Sequence, residues 1–226
     1  MRIPFFHYTC LDNLPNILKN DRLISRNGLK SKGVEFNDIS IDPAQPTREK
    51  LGLLEYIPLF AGFYGLYRSY QLNGYLMFLY DDPKVQNKSF YGTLNKTLQT
   101  KMGNSYETII ILLINNELVY RFADQGKVRF FTDIAVKDCS SELPIGNRED
   151  LINCLSAQIK GTNISGEIDL LDDGKVSIAY PEDIEVIIAD NDGIKTKVIE
   201  AITKYGPNRH VPLTLISELP RDAILQ

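Results

Sequence analysis

Histidine and cysteine are nearly absent from this chain. Its 226 residues include only His7 and His210, and only Cys10, Cys139 and Cys154, with no CxxC pair. A structural zinc site needs four clustered nitrogen or sulfur ligands, so no metal site is read here. An odd number of cysteines without paired spacing predicts reduced thiols in a cytoplasmic protein. Long apolar runs are also missing. The longest, Ile109 to Ile114, is far too short to cross a bilayer as a helix and reads as a buried strand, and Pro4, His7 and Asp12 interrupt any leader-like segment. No membrane association is expected. Nor is there a large excess of either charge. A formal net charge of -4 and a pI near 5.3 argue against a surface coated in positive charge for nonspecific duplex binding, while leaving room for a local basic groove. Internal repeats and low-complexity tracts are absent.

What is present is ordinary for a soluble folded protein: 43% apolar and 24% charged residues, enough to build a sizeable core. The length suits one domain spanning residues 1–226.

The stretch Phe5 to Lys30 carries the densest information. Phe5-Phe6-His7-Tyr8-Thr9 reads as a short buried strand, rich in aromatic and β-forming residues. Asp12 or Asn13 is placed to cap a following helix, in which Leu14, Ile17 and Leu18 recur at helical spacing and Asn20-Asp21 marks the end. A histidine is thus mounted near the end of a core strand, locked by a helix. Residues 28–45 read as a long polar loop with a short strand at Val34-Glu35-Phe36, and a helix is expected to begin near Thr47 to Lys50.

Further along, Tyr56 to Tyr67 begins as a strand and ends as a glycine-interrupted aromatic segment, suited either to core packing or to a stacking wall for a planar ring. Thr108 to Ile114 predicts a strand. Leu118–Phe122 and Val128–Phe131 bracket Asp124-Gln125-Gly126-Lys127, a hairpin-like signal. Arg148 to Ile159 predicts a helix with Leu151, Ile152, Leu155 and Ile159 on one face. Ile164 to Leu171 alternates as a strand, Asp172-Asp173-Gly174 turns, and Val176 to Ala179 returns. Pro181 to Ala189 predicts a further strand, and Ile194 to Lys204 a last helix ended by Gly206-Pro207. Strands from both ends of the chain with helices between them point to an α+β domain.

The opening stretch resembles the DarT family of NAD-dependent DNA ADP-ribosyltransferase toxins. That family begins with a His-x-Thr strand, followed by Asp-Asn-Leu-Pro-x-Ile-Leu and Leu-x-Ser-x-Asn-x-Leu-Lys. The matching residues here are His7, Thr9, Asp12-Asn13-Leu14-Pro15, Ile17-Leu18, Leu23, Ser25, Asn27 and Leu29-Lys30. The likeness is strong over residues 5–67 and looser over 128–189, where Val128-Arg129-Phe130-Phe131-Thr132-Asp133 resembles a further family segment. It implies the ADP-ribosyltransferase fold: two small packed mixed or antiparallel sheets, peripheral helices and an NAD cleft. It also implies an activity. ADP-ribose would be transferred from NAD to a base in single-stranded DNA with release of nicotinamide, by the toxin of a toxin-antitoxin pair whose antitoxin removes the ADP-ribose or binds the toxin.

Such a transfer builds positive charge on a ribose as its bond to nicotinamide breaks. A site therefore needs a carboxylate near that sugar, a clamp for the pyrophosphate and an aromatic wall. Glu167 is the candidate carboxylate. Strand alternation puts it on the face opposite Ile168 and on the same side as Asp169, and the resemblance makes it the family's catalytic glutamate; an exposed edge-strand carboxylate is the plain alternative. The resemblance likewise makes Arg48 the phosphate-binding and catalytic arginine, whose planar fork suits phosphate. It places His7, Thr9, Asn27, Tyr56 and Tyr67 against NAD, although a lone histidine is more often a hydrogen-bonded core residue. It places Gln158, Lys160, Thr162 and Asn163 in the loop that selects the target base. Lys19, Arg22, Arg26, Lys30 and Lys32 form a positive run that either is a solvated face or tracks a single strand. Two alternatives stand beside this reading: an ADP-ribosyltransferase acting on RNA or protein, and a non-catalytic nucleic-acid or NAD binding module that has kept the fold.

Overall fold

Strand β1, Phe5–Cys10, lies at the middle of the sheet, and its burial on both faces reflects that position. The computed structural model describes residues 5–36, 48–61, 109–132, 139–160, 167–174, 177–189, 191–206, 210–215 and 218. The other strands are β2 (Tyr56–Ala61), β3 (Ile109–Ile114), β4 (Val128–Phe131), β5 (Glu142–Leu143), β6 (Glu167–Leu171), β7 (Ile184–Ala189) and β8 (Leu213–Leu215). Among the described residues the α-helices are α1 (Leu14–Asn20), α2 (Arg26–Ser31), α3 (Asn116–Asp124), α4 (Arg148–Lys160) and α5 (Asp192–Tyr205). Among the described residues, no helix is long and apolar enough to cross a membrane.

The α+β class expected from the sequence is what the chain adopts, but the two expected sheets are one. Its eight strands run in the order β5-β4-β6-β2-β1-β3-β7-β8, antiparallel except for the parallel pair β7–β8. The reason lies between β1 and β2. β1 pairs with β3 along its whole length, from Phe5↔Ile114 to Cys10↔Ile109, but with β2 only at Phe5↔Ala61 and Phe6↔Phe60. Those rungs join two half-sheets into one, and beyond Phe6 the strands stop pairing. Pro58 sits in β2 beside this seam. Its carbonyl faces β1, and in an antiparallel strand the nitrogen of a residue points the same way as its carbonyl. The missing N–H therefore faces the parted seam, which serves as an edge on which proline is tolerated.

One apolar cluster unites Phe5, Ile57, Leu59, Leu112, Ile168 and Leu170 from the sheet with the buried faces of α1, α3, α4 and α5. In α5 that face is Ile194, Val198 and Ile202, spaced one turn apart, and Asn191 caps the helix by accepting from Ile194 N. In α4, Leu151 and Leu155 are fully buried, whereas Ile152, expected on the same face, is 36% exposed.

Several local expectations are corrected. The hairpin expected around residues 124–127 is instead the C-terminus of α3. Lys127 N reaches Phe122 O and Gly126 N reaches Ala123 O, with Gly126 at φ 63, which is a Schellman ending. Leu118, Val119, Phe122 and Ala123 all face inward, a helical rather than alternating pattern. The loop expected from residue 28 starts as helix α2, because Ser25 Oγ accepts from Gly28 N and caps it. Val34–Phe36 is not a strand, and of the return expected at Val176–Ala179 the described residues 177–179 form no strand; Ala179 makes a single bridge to Arg22, and Val176 lies outside the described residues. β8 was not anticipated. Asn13 stands at the cap position of α1 but does not cap, since its amide donates to Thr9 Oγ1 at 3.3 Å.

Candidate active site at the seam

Burying one carboxylate is costly, and β6 buries two. Glu167 and Asp169 are 4% and 0% exposed and share one face of the strand, as alternation requires. Glu167 stands opposite Phe60 and Phe131, and Asp169 opposite Pro58 and Arg129. The compensating cation is Arg48, itself 5% exposed. Its Nη1 donates to Glu167 Oε1, and its Nη2 donates to Asp169 Oδ1 at 2.6 Å.

Arg48 is delivered there by a short helical turn at residues 48–50. The chain then passes Gly52 at φ 69, a conformation glycine adopts readily, and enters the 3-10 turn Leu53–Glu55. Leu53 packs on Phe131 and so sets this segment on the Glu167 face. Arg129 fastens it: Nη1 donates to Leu51 O at 2.9 Å, while Nε and Nη2 grip the Glu142 carboxylate at 2.7 and 2.6 Å.

One guanidinium faces two acids, and the electrostatics follow. Burial pushes Glu167 up to about 8; Arg48 opposes this and Asp169 adds to it. Asp169 is raised as well, again chiefly by burial and against the pull of Arg48. Burial works against the Arg48 charge, but Glu167 and then Asp169 overcome it and hold the guanidinium protonated. At neutral pH the trio therefore keeps a proton between its two acids.

Across the seam, His7 Nδ1 lies 2.9 Å from Pro58 O. Burial lowers its pKa to about 4, the carbonyl pulling the other way and Arg26 and Arg48 adding to the drop. The ring is neutral at pH 7. A carbonyl can only accept, so Nδ1 carries the proton and Nε2 is an acceptor. Tyr8 and Phe60 face each other with ring centroids 5.0 Å apart, one from each side of the seam. Helix α2 is tied to the end of β6, where Ser25 N donates to Asp172 Oδ2 at 2.7 Å. From this helix the Arg26 charge acts on His7, Glu167 and Asp169 alike. A cleft of about 560 Å³ lies beyond Thr9, lined among the described residues by Asp12, Asn13, Val34, Glu35 and Phe36.

The structure thus brings Arg48 and Glu167 into direct contact and sets His7 on the carbonyl one rung from them. Thr9 is buried, with its hydroxyl on Asn13. Asn27 is exposed on α2. Tyr56 is half-buried against Leu53 and Phe131, and burial raises its phenol. Gln158 and Lys160 fall in the last turn of α4, of which the backbone alone is described, and Tyr67, Thr162, Asn163 and Asp133 lie outside the described residues. The positive run divides: Lys19 leans over the Tyr205 ring at 4.9 Å, whereas the Arg26 charge acts on the two acids. Sequence reasoning gave Asp169 no part in the site, although two acids at alternate positions of an otherwise apolar strand were a usable signal. Asp172 carried no signal beyond that of a turn.

Two polar atoms of the trio, Arg48 Nε and Asp169 Oδ2, are buried without a hydrogen bond among the described residues. One is a donor and the other an acceptor, so the pair fits a ligand that presents both an anionic oxygen and a hydroxyl, as a dinucleotide does.

No family model and no curated protein matches this chain. Solved structures do match its fold. Thermus sp. 2.9 DarT in complex with carba-NAD+ superposes with a TM-score of 0.57 at 16% identity, covering 94% of each chain. The same protein in complex with ADP-ribosylated single-stranded DNA gives 0.60 at 14% identity, over 94% of this chain and 93% of that one. Thermosipho africanus DarTG in complex with ADP-ribose gives 0.57 at 13% identity, over 94% of this chain and 49% of that one. The chain shares the fold of these DarT structures.

Proposed function

We propose that this protein is an NAD-dependent ADP-ribosyltransferase that modifies a base in single-stranded DNA and releases nicotinamide, its whole length acting as one domain. The observation that carries this reading is the buried Arg48–Glu167 pair at the seam of a DarT-like fold. The activity is that of a toxin working in the cytoplasm, held in check by an antitoxin that removes the ADP-ribose or binds the toxin. Its support is the fold it shares with DarT solved with NAD+ and with ADP-ribosylated single-stranded DNA, and with DarTG solved with ADP-ribose.

NAD enters as co-substrate and supplies the ADP-ribosyl group, and no metal is part of the proposal. Arg48 holds a phosphate oxygen through its Nε–H edge. His7 Nε2 accepts from a hydroxyl or amide of the nucleotide. Thr9, Asn27, Tyr56 and Tyr67 complete the nucleotide site. Glu167, in its ionised form, faces the sugar carbon on which positive charge develops, and it takes the proton that the target base gives up. Gln158, Lys160, Thr162 and Asn163 read the base edge, which is accessible without flipping in a single strand.

The test is a mass measurement. The protein is mixed with NAD and a pool of single-stranded DNA oligonucleotides, RNA or protein, with Glu167→Ala as the control. A gain of one ADP-ribose on DNA, lost in the control, is expected, and fragmentation then identifies thymine or guanine. Gain on RNA or protein alone would replace the substrate. No gain and no released nicotinamide would leave a binding module.

A further inference from the structure

Arg48 already has Glu167 for a counter-ion, so charge balance does not call for a second acid. Asp169 nevertheless sits fully buried two residues further along the same strand face, with Oδ1 on Arg48 Nη2 at 2.6 Å. It sets a second buried acid on one guanidinium where an anionic dinucleotide is to bind, a placement that stability alone does not favour. Its geometric effect is specific. A guanidinium held through one amino group still turns about that contact, whereas one held through Nη1 by Glu167 and through Nη2 by Asp169 has a fixed plane. In that plane the Nε–H edge is the one left without a partner among the described residues.

We infer that Asp169 is a positioning residue of the transfer reaction, fixing the plane of the Arg48 guanidinium and sharing that cation with Glu167. This rests on the function proposed above. Among the described residues, the remaining charged and titratable groups around the two acids are Arg26 of α2, Arg129 of β4 and Tyr56 of β2; His7 of β1 stands neutral across the seam. None of these is an acid that substitutes for Asp169. Its negative charge beside Glu167 makes the glutamate harder to ionise, and so the two acids are coupled.

The test compares wild type with Asp169→Asn and Asp169→Ala. The asparagine keeps an oxygen for Arg48 Nη2 but removes the charge. The Glu167 carboxyl is followed by carbon NMR in the NAD-free protein, assigned by its loss in Glu167→Gln, and kcat/KM for NAD is measured across pH. In Asp169→Asn the Glu167 midpoint and the acid limb of kcat/KM both move down by about one pH unit. In Asp169→Ala kcat/KM falls about tenfold or more at every pH, since Nη2 loses its acceptor. A purely structural role would lower melting temperature and amplitude but leave midpoint and limb in place. An unmoved midpoint in Asp169→Asn, or kcat/KM within about twofold of wild type in Asp169→Ala, overturns the inference. A wild type that never consumes NAD overturns the proposed function instead, and the titration still decides whether the two acids are coupled.

Discussion

His7 Nδ1 donates to the Pro58 carbonyl across the gap in which β1 and β2 no longer pair. A side chain there takes the place of a backbone rung. Pro58 has no N–H to offer, and past Phe6 the strands separate, so the imidazole is what ties β1 to β2 at that level. The bond is made by a neutral ring in a defined tautomer, and that has a consequence in acid.

His7 is lowered in the fold to about 4 from 6.5. Below pH 6.5 the unfolded chain takes up a proton there that the folded chain refuses, so stability falls as pH drops from 6.5 towards 4. The full loss is about 3 kcal/mol, at about 1.4 kcal/mol per pKa unit. His7→Gln, which does not titrate, is expected to flatten this part of the melting-temperature profile. Parallel profiles for variant and wild type would contradict it.

Glu167 acts in the opposite sense. Its folded value of about 8 exceeds the 4.5 of an ordinary glutamate, so between those values the folded chain binds the extra proton and stability declines as pH rises. Transfer activity, which needs the ionised carboxylate, is expected to climb through the same range and level off above about pH 8. Glu167→Gln should lower the rate by roughly 10²–10³ while making the protein less sensitive to alkali. Calorimetry and nicotinamide release, each measured from acid to alkaline pH, test the two halves separately.

How far these residues were readable in the sequence depends on the range of the interaction. Period-two alternation in β6 put Glu167 and Asp169 on one face, and the apolar spacing in α4 and α5 placed both helices, because each pattern is set by near neighbours. The signal at Asp124–Lys127 was read as a hairpin because a glycine turn ends a helix as readily as it joins two strands. The seam was not readable, since where two strands stop pairing depends on partners far apart in the chain. Arg48 and Glu167 lie 119 residues apart, and Ser25 and Asp172 lie 147 apart. Family resemblance, rather than periodicity, named the first pair, and nothing in the sequence named the second.

Removing Arg48 is expected to do more than weaken NAD use. Arg48→Ala leaves Glu167 and Asp169 buried together without a cation, a loss of roughly 3–5 kcal/mol when both are ionised. Protonation relieves that repulsion, so the melting-temperature deficit should be largest above pH 8 and shrink towards pH 5. Arg48→Lys restores charge but offers a point rather than a fork, and should recover stability better than it recovers turnover. A pH-independent deficit in Arg48→Ala would mean that the two acids do not depend on Arg48 as their shared cation.

The attachment of α2 to β6 should govern nucleotide binding more than chemistry. Asp172 Oδ2 accepts from Ser25 N, and a Cβ on Gly28 would stand 3.2 Å from that same oxygen and 2.6 Å from Ile24 Cγ2. Asp172→Ala removes the tie, at about 1–2 kcal/mol. Gly28→Ala forces the surfaces apart, at about 1–3 kcal/mol. Both changes shift the helix that carries Arg26 and Asn27, so each should raise KM for NAD with a smaller effect on kcat. Because they act on one contact, the double variant should cost less than the two single costs together. Strict additivity in a double-mutant cycle, or a fall in kcat at unchanged KM, would show that α2 is not held to β6 through Asp172.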